Sequence, residues 1–154
     1  MRIIVDAFGG DNAPLEVIKG AALAVAEYGH TVVLVGREEE IRRVAQAEEI
    51  SLAGMEIVDA PDVIRMEDEP KSILKEHKDC SMAEGLRRLA AGEGDAFVSA
   101  GSTGALIMGG TFIVKRIKGV SRAALAPLMP SDKGPFMLLD AGANADCRAD
   151  MLLQ

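Results

Sequence analysis

The sequence contains few aromatic residues: among its 154 residues there are four phenylalanines, one tyrosine and no tryptophan. Hydrophobic residues nevertheless make up 49% of the chain, so its core must be built from aliphatic side chains, alanine and glycine. A chain of this length can bury one sizeable core. Small side chains let helices pack closely on a sheet, and the composition therefore predicts one globular domain.

Other absences exclude whole classes of protein. No apolar run approaches the ~20 residues that a membrane span needs. The first residues, Met1–Asp6, predict a strand and not a signal peptide. Cys80 and Cys147 lack the spacing of a metal or redox site, which favours a reducing cytoplasm and buried or incidental thiols. A formal net charge of −7 argues against non-specific binding of nucleic acid.

The common signatures of cofactor-dependent and hydrolytic enzymes are also missing. The nucleotide-binding patterns GxxxxGK[ST] and GxGxxG do not occur, and neither do HExxH and GxSxG. The sequence therefore predicts no metal and no bound cofactor. A decarboxylating dehydrogenase is disfavoured because no nicotinamide fingerprint is present.

What the sequence does contain is an alternation of strands and helices. The predicted strands are 2–6, 31–36, 55–59, 95–99, 123–129 and 135–140. The predicted helices are 14–28, 38–48, 81–92 and 103–116. This alternation is typical of an α/β fold with helices on both faces of a sheet, and the turn at 130–134 predicts a hairpin between the last two strands.

Local patterns refine this prediction. Asp95–Val98 is expected to be a buried strand and Ala105–Val114 a buried helix, because both are short apolar runs. The predicted helix caps are Asp11 or Asn12 for the first helix and Ser81, with Glu84 in a capping box, for the third.

Three loops of similar chemistry follow predicted strands: Asp6–Asp11, Ser99–Gly104 and Asp140–Asp146. In open α/β sheets, ligands bind outside the carboxyl ends of the strands. If these strands are parallel neighbours, the three loops converge on one cleft.

The loop Ser99–Gly104 leads into a helix, whose first backbone N–H groups have no intrahelical acceptor and whose dipole is positive at this end. Glycines and hydroxyls allow an anion such as phosphate to approach those groups closely. The alternative is an ordinary strand–helix turn that Ser102 or Thr103 caps.

Together with Asp68–Pro70 and Lys78–Met82, these three loops resemble the PlsX family, the bacterial phosphate acyltransferases of phospholipid synthesis. The resemblance follows the family's order and spacing over the whole chain and covers about the N-terminal half of a typical member. The chain differs in having Ser102 where the family usually has asparagine and Cys80 where it usually has serine.

The resemblance implies a three-layer α/β/α sandwich similar to isocitrate and isopropylmalate dehydrogenases, of which residues 1–154 would be the N-terminal part, cut at its C-terminus. The implied reaction transfers a fatty acyl group from acyl-[acyl carrier protein] to inorganic phosphate and gives acyl phosphate for phospholipid synthesis. The family is cytoplasmic and homodimeric. Its peripheral attachment to the inner face of the membrane is expected to involve the second half.

Because phosphate is itself the nucleophile in such a reaction, the site must hold an anion and stabilise the developing oxyanion. The expected phosphate-binding residues are Asp6, Gly9, Gly10, Asp11, Ser99, Gly101, Ser102, Thr103, Gly104, Asp140 and Gly142. Backbone N–H groups of Gly101–Gly104 would hold the phosphate. The expected catalytic residues are Asn144 as oxyanion donor, Asp146, and, as the cation near phosphate, Lys78 or else a lysine or arginine from the missing half.

The carboxylates of Asp6, Asp11, Asp140 and Asp146 are expected to orient donors, since they would repel phosphate directly. Two alternatives remain open. One is a phosphate acetyl- or butyryltransferase that acts on coenzyme A thioesters. The other is a non-catalytic domain that only binds anions.

Overall fold

The computed structural model describes residues 1–144 and 146–153. The chain divides into two compact units, Met1–Val114 and Lys115–Gln154. Their membership of a single domain stays a prediction, and each unit is described by itself.

The first unit alternates strands and helices. It contains β1 (Arg2–Asp6), α1 (Leu15–Tyr28), β2 (Thr31–Gly36), α2 (Glu38–Ala47), β3 (Met55–Asp59), a 3-10 helix (Pro70–Leu74), α3 (Ser81–Ala90), β4 (Ala96–Val98) and α4 (Thr103–Gly109), which a π-helical turn (Gly110–Val114) continues. The predicted bounds of the first three strands are confirmed, and the predicted helices lie where expected to within a few residues.

The four strands form one parallel sheet in the order β3-β2-β1-β4. Val5 of β1 is in register with Leu34 of β2 on one side and with Val98 of β4 on the other. Because β1 and β4 are parallel neighbours, the loops that follow them leave the sheet at the same edge. This confirms the expected adjacency for the first two of the three loops.

Helices cover both faces of the sheet. On one face, Val32 and Leu34 pack with Ile18 of α1 and Ile41 of α2. The opposite face carries a second cluster, formed by Ile4, Val33, Val35 and Ala60 with Leu89 and Phe97 packed against it. Strand β2 is therefore covered on both faces, as its continuous apolar run predicts.

The prediction that Asp95–Val98 and Ala105–Val114 are both buried is wrong. Strand β4 lies at the edge of the sheet, and Val98 is 53% exposed. In the helix that follows, only Ala105 and Gly109 are buried. Two adjacent glycines, Gly109 and Gly110, stand where α4 becomes π-helical.

Two of the predicted caps are also wrong. Pro14 occupies the N-cap position of α1 without a side-chain bond, so neither Asp11 nor Asn12 caps this helix. Helix α3 is capped by Cys80, whose Sγ accepts from the N–H of Ala83 at 3.4 Å.

Cys80 is therefore the N-cap of α3, and Ser81 is not. Glu84 forms ion pairs with Arg87 and Arg88 instead of closing a capping box. At α4 the expected capping is confirmed: Ser102 Oγ accepts from the N–H of Ala105 at 3.3 Å.

The second unit contains a hairpin and a short helix, α5 (Ala149–Leu153). Strands β5 (Leu128–Met129) and β6 (Phe136–Met137) pair antiparallel around the turn at 130–134, which confirms the predicted hairpin. Both strands are shorter than predicted. Pro127 and Pro135 flank them, and proline has no N–H to extend a ladder.

Candidate functional site

The site in the first unit is built around the buried carboxylate of Asp6, which is 2% exposed at the end of β1. Its Oδ1 accepts from Ser81 Oγ at 2.6 Å and from the N–H of Phe8 at 3.2 Å. Its Oδ2 accepts from Ser99 Oγ at 2.8 Å. Asp6 therefore joins the β1–α1 loop, the β4–α4 loop and the start of α3.

Ser99 carries this connection into the second loop, because its Oγ accepts from the N–H of Gly101 at 3.1 Å. Gly9 lies directly against this network. A Cβ at Gly9 would stand 2.5 Å from Ser99 Oγ and 2.7 Å from Asp6 Oδ2. The approach of the two loops thus requires glycine at this position.

The same two loops approach each other at two further pairs of positions, Gly10 with Ala100 and Gly9 with Gly101. Gly10 has a φ of +119°, which an L-residue rarely adopts, and a Cβ there would lie 3.3 Å from Ala100 Cβ. A Cβ at Gly101 would lie 3.2 Å from the Cα of Gly9. The predicted glycines therefore serve close backbone contact between the loops.

The beginning of α4 offers the donors that an anion needs. Ser102 is buried and caps the helix, whereas Thr103 is exposed. The N–H groups of residues 102–104 have no acceptor within the described part of the chain, as expected for a first helical turn. The N–H of Gly101, which was expected to bind phosphate, is instead bonded to Ser99.

A cavity of about 390 Å³ lies beside these loops. Its wall includes Asp11, Gly101 and Ser102. Gly104 does not line it and packs against Pro70, whose Cγ would be 2.8 Å from an added Cβ.

The cations on the cavity wall are arginines that the sequence analysis did not single out, Arg37 and Arg65. Arg37 lies over the ring of Phe8, 5.5 Å from its centroid. The expected cation, Lys78, does not line this cavity. Its side chain is 67% exposed and its ammonium is 3.9 Å from a carboxylate oxygen of Asp79.

The segment that carries Arg65 is held by a histidine between two carboxylates. His77 Nδ1 lies 2.7 Å from Asp62 Oδ2, and His77 Nε2 lies 3.6 Å from Asp68 Oδ2. Asp68 Oδ2 in turn accepts from the N–H of Arg65 at 2.7 Å. These contacts fix the backbone along one wall of the cavity.

In the second unit, the carboxylate of Asp140 closes its own loop. Its Oδ1 accepts from three N–H groups at 2.9–3.2 Å, those of Leu125, Gly142 and Ala143. Its Oδ2 accepts from the N–H and the Nδ2 of Asn144 at 3.0 and 2.7 Å. The Asn144 side chain, followed by the backbone donors, lowers the pKa of Asp140 to about 2.

Asn144 was expected to donate to an oxyanion, but its Nδ2 already donates to Asp140 and to the carbonyl of Ala123, 3.1 Å away. Both of its donor hydrogens are therefore engaged within its own unit. Asp146 is exposed. The expectation that this loop joins the first two at one cleft stays a prediction.

Neither cysteine has the properties of a nucleophile. Cys80 is fully buried, and burial raises the pKa of its thiol. Desolvation, followed by the charge of Asp140, raises the pKa of Cys147. Because the thiolate is the reactive form, both thiols are poorly suited to attack a substrate.

Comparison with known proteins identifies the family. The family model described as "Fatty acid synthesis protein" matches residues 1–154, and the chain belongs to this family, the PlsX family. A phosphate acyltransferase of Clostridium botulinum (strain Loch Maree / Type A3) is 44% identical over 155 residues, which are 100% of this chain and 46% of the relative. The phosphate acyltransferase of Clostridium novyi (strain NT) is 43% identical, with 47% of its length covered. The chain spans about half the length of these curated relatives.

Among solved structures, the EutD phosphotransacetylase from Staphylococcus aureus is similar, with a TM-score of 0.64 and 21% sequence identity. The match covers 89% of this chain and 44% of that protein. This likeness shows the fold, a parallel sheet flanked by helices. Among the described residues, no helix is both long enough and apolar enough to cross a membrane.

Proposed function

We propose that this chain carries the phosphate site of an acyltransferase that moves a fatty acyl group from acyl-[acyl carrier protein] to inorganic phosphate. The observation that carries the proposal is the 44% identity, over the whole chain, to proteins named phosphate acyltransferase. The start of α4 supports it, because the N–H groups of residues 102–104 have no acceptor among the described residues and Ser102 lines the cavity.

In this reaction a phosphate oxygen attacks the carbonyl carbon of the thioester and forms the new C–O bond. The C–S bond then breaks, the sulfur of the carrier leaves and takes a proton, and acyl phosphate is released. Because phosphate is the nucleophile, the reaction requires none from the chain. Its groups hold and orient phosphate: the amides of residues 102–104 stabilise the anion, and Asp6 fixes the loop through Ser99.

The acyl carrier protein is expected to be acidic, whereas this chain also has a net charge of −7. Docking therefore needs a local basic surface, and the densest one along the sequence comprises Lys115, Arg116, Lys118 and Arg122. Charges at the rim of an interface act mainly on the rate of association. Replacing Lys115 and Arg116 by glutamate is expected to lower kcat/KM for the carrier substrate at low salt. An unchanged kcat/KM would place docking elsewhere.

The same proposal includes the finer features that the family resemblance implies. These are a three-layer α/β/α sandwich similar to isocitrate and isopropylmalate dehydrogenases, a homodimer, and a cytoplasmic location with peripheral attachment at the inner face of the membrane. The likeness to a phosphotransacetylase supports the first of them at the level of the fold.

That likeness also favours a second candidate, a phosphate acetyl- or butyryltransferase that acts on coenzyme A thioesters. The two activities share the attack by phosphate and differ in the thiol that leaves. The intact protein should be incubated with phosphate and either acyl-[acyl carrier protein] or acyl-coenzyme A, and both acyl phosphate and free thiol should be measured. Turnover with the carrier substrate is expected. Turnover with coenzyme A alone would favour the second candidate, and binding of phosphate without turnover would indicate an anion-binding domain.

A further inference from the structure

We infer that Ser81 is a positioning residue for the phosphate loop and acts on it through Asp6 and Ser99. The inference rests on the function proposed above. Ser81 lies 75 positions from Asp6 in the sequence and belongs to α3, outside both loops of the site. Its hydroxyl nevertheless forms the shortest hydrogen bond to the Asp6 carboxylate, at 2.6 Å.

Three hydrogen bonds in series connect Ser81 to the start of the phosphate loop. Ser81 Oγ bonds to Asp6 Oδ1 at 2.6 Å, Ser99 Oγ bonds to Asp6 Oδ2 at 2.8 Å, and the N–H of Gly101 bonds to Ser99 Oγ at 3.1 Å. Ser81 and Asp6 are 1% and 2% exposed. Water has little access to replace either partner.

The direction of these bonds follows from the chemistry of the groups. An ionised carboxylate only accepts hydrogen bonds, so both hydroxyls must donate to Asp6. The Ser99 oxygen is then left to accept, and it accepts the N–H of Gly101. This arrangement fixes the peptide that immediately precedes the three amides at residues 102–104.

Ser81 matters to this arrangement because Asp6 forms no ion pair with any described residue. Its donors are Ser81, Ser99 and the N–H of Phe8. A buried carboxylate depends heavily on each of a few donors. Without the Ser81 hydroxyl, Asp6 Oδ1 would retain only the weaker bond from Phe8, at 3.2 Å.

A purely structural role for Ser81 is the competing explanation, and the neighbouring residue supplies the control. Cys80 is also fully buried, and its Sγ caps the same helix without touching Asp6 through a hydrogen bond. Cys80→Ala therefore weakens the start of α3 and leaves the bonds of Asp6 in place. Ser81→Ala removes a bond of Asp6 and leaves the cap.

The test is a titration of the intact protein with inorganic phosphate, followed by NMR at the amide signals of residues 102–104. Ser81→Ala is expected to raise the dissociation constant of phosphate about tenfold, by loss of a hydrogen bond to a charged group. Ser81→Thr, which keeps the hydroxyl, is expected to restore binding. Cys80→Ala is expected to bind phosphate as the wild type does.

Each other outcome overturns the inference. If the wild type and Ser81→Ala bind phosphate equally, or if Cys80→Ala weakens binding as much, Ser81 has only a structural role and the proposed function stands. If the wild-type chain gives no shift at residues 102–104, the phosphate site itself fails. If Ser81→Ala does not fold, Ser81→Cys replaces it in the test, because a thiol of similar size is only a weak hydrogen-bond donor. Unchanged phosphate binding in Ser81→Cys would refute the positioning role of Ser81.

Discussion

Adding a single methyl group at Gly9 is expected to separate the two loops of the candidate site. In Gly9→Ala the new Cβ would stand 2.5 Å from Ser99 Oγ, 2.7 Å from Asp6 Oδ2 and 2.9 Å from the N of Gly101. All three distances are shorter than carbon tolerates. All three atoms belong to the two hydrogen bonds that connect Asp6, Ser99 and Gly101, so the strain cannot be relieved without breaking them.

The loss of stability in Gly9→Ala can be estimated from the hydrogen bonds that must break. Moving Ser99 Oγ away costs one hydrogen bond to a charged group and one to a backbone N–H. Net contributions are about 1.5–3 kcal/mol for the first kind and about 0.5–1.5 kcal/mol for the second. Gly9→Ala is therefore expected to lower the free energy of unfolding by about 2–4.5 kcal/mol and to weaken phosphate binding at the amides of α4.

Urea unfolding followed by far-ultraviolet circular dichroism suits a chain without tryptophan. The matched control is Gly20→Ala, an exposed helical position where an added Cβ meets no atom within 4 Å. Helix propensity predicts that this control raises the free energy of unfolding by up to about 1 kcal/mol. If the free energy of unfolding of Gly9→Ala lies within about 0.5 kcal/mol of the wild-type value, a range typical of neutral surface changes, the tight packing of the two loops is refuted.

Three further predictions concern other parts of the chain. The folded pKa of Asp140 is about 2 against an ordinary 3.8, so its carboxylate stabilises the fold above about pH 4, and this stabilisation is lost as the pH falls towards 2. Asp140→Asn should remove that part of the acid dependence of stability, measured by circular dichroism over a pH titration. Gly85→Ala would press a Cβ into the ring of Phe97 and should cost about 1–3 kcal/mol in urea unfolding, whereas Gly110→Ala meets no atom within 4 Å and serves as its control. Thr103→Val should raise the KM for phosphate about tenfold to a hundredfold.

The parts of the fold that could be predicted depend on neighbours in the sequence. Strand β2 is a continuous apolar run between glycines, and its bounds follow from that pattern alone. Strands β5 and β6 are shorter than predicted, and the reason is also local. The apolar runs 123–129 and 135–140 predict longer strands, but Pro127 and Pro135 cannot supply the N–H groups that extra pairing requires.

The parts that could not be predicted depend on positions far apart in the chain. The order β3-β2-β1-β4 places β4 at an edge, and no local pattern contains that order. Because serine favours the N-cap position, the sequence predicts Ser81 as the cap of α3, yet Cys80 caps the helix and Ser81 bonds to Asp6, 75 positions away. The only sequence signal was the carboxylate of Asp6 itself, which needs donors once it is buried.

Thr103→Val is the variant that separates an anion site from an ordinary helix start. The side chain keeps its shape and loses only its hydroxyl. Ser102 already caps α4, so the Thr103 hydroxyl is not needed for the cap, and a purely structural role predicts almost no change in stability or kinetics. In an anion site the lost bond to phosphate contributes about 1.5–3 kcal/mol, which corresponds to the tenfold to hundredfold rise in KM. Ser102→Ala provides the contrast, because loss of the cap costs about 1 kcal/mol of stability. An unchanged phosphate KM and kcat in Thr103→Val would show that this loop has only a structural role and that phosphate binds at Asp6–Asp11 or Asp140–Asp146.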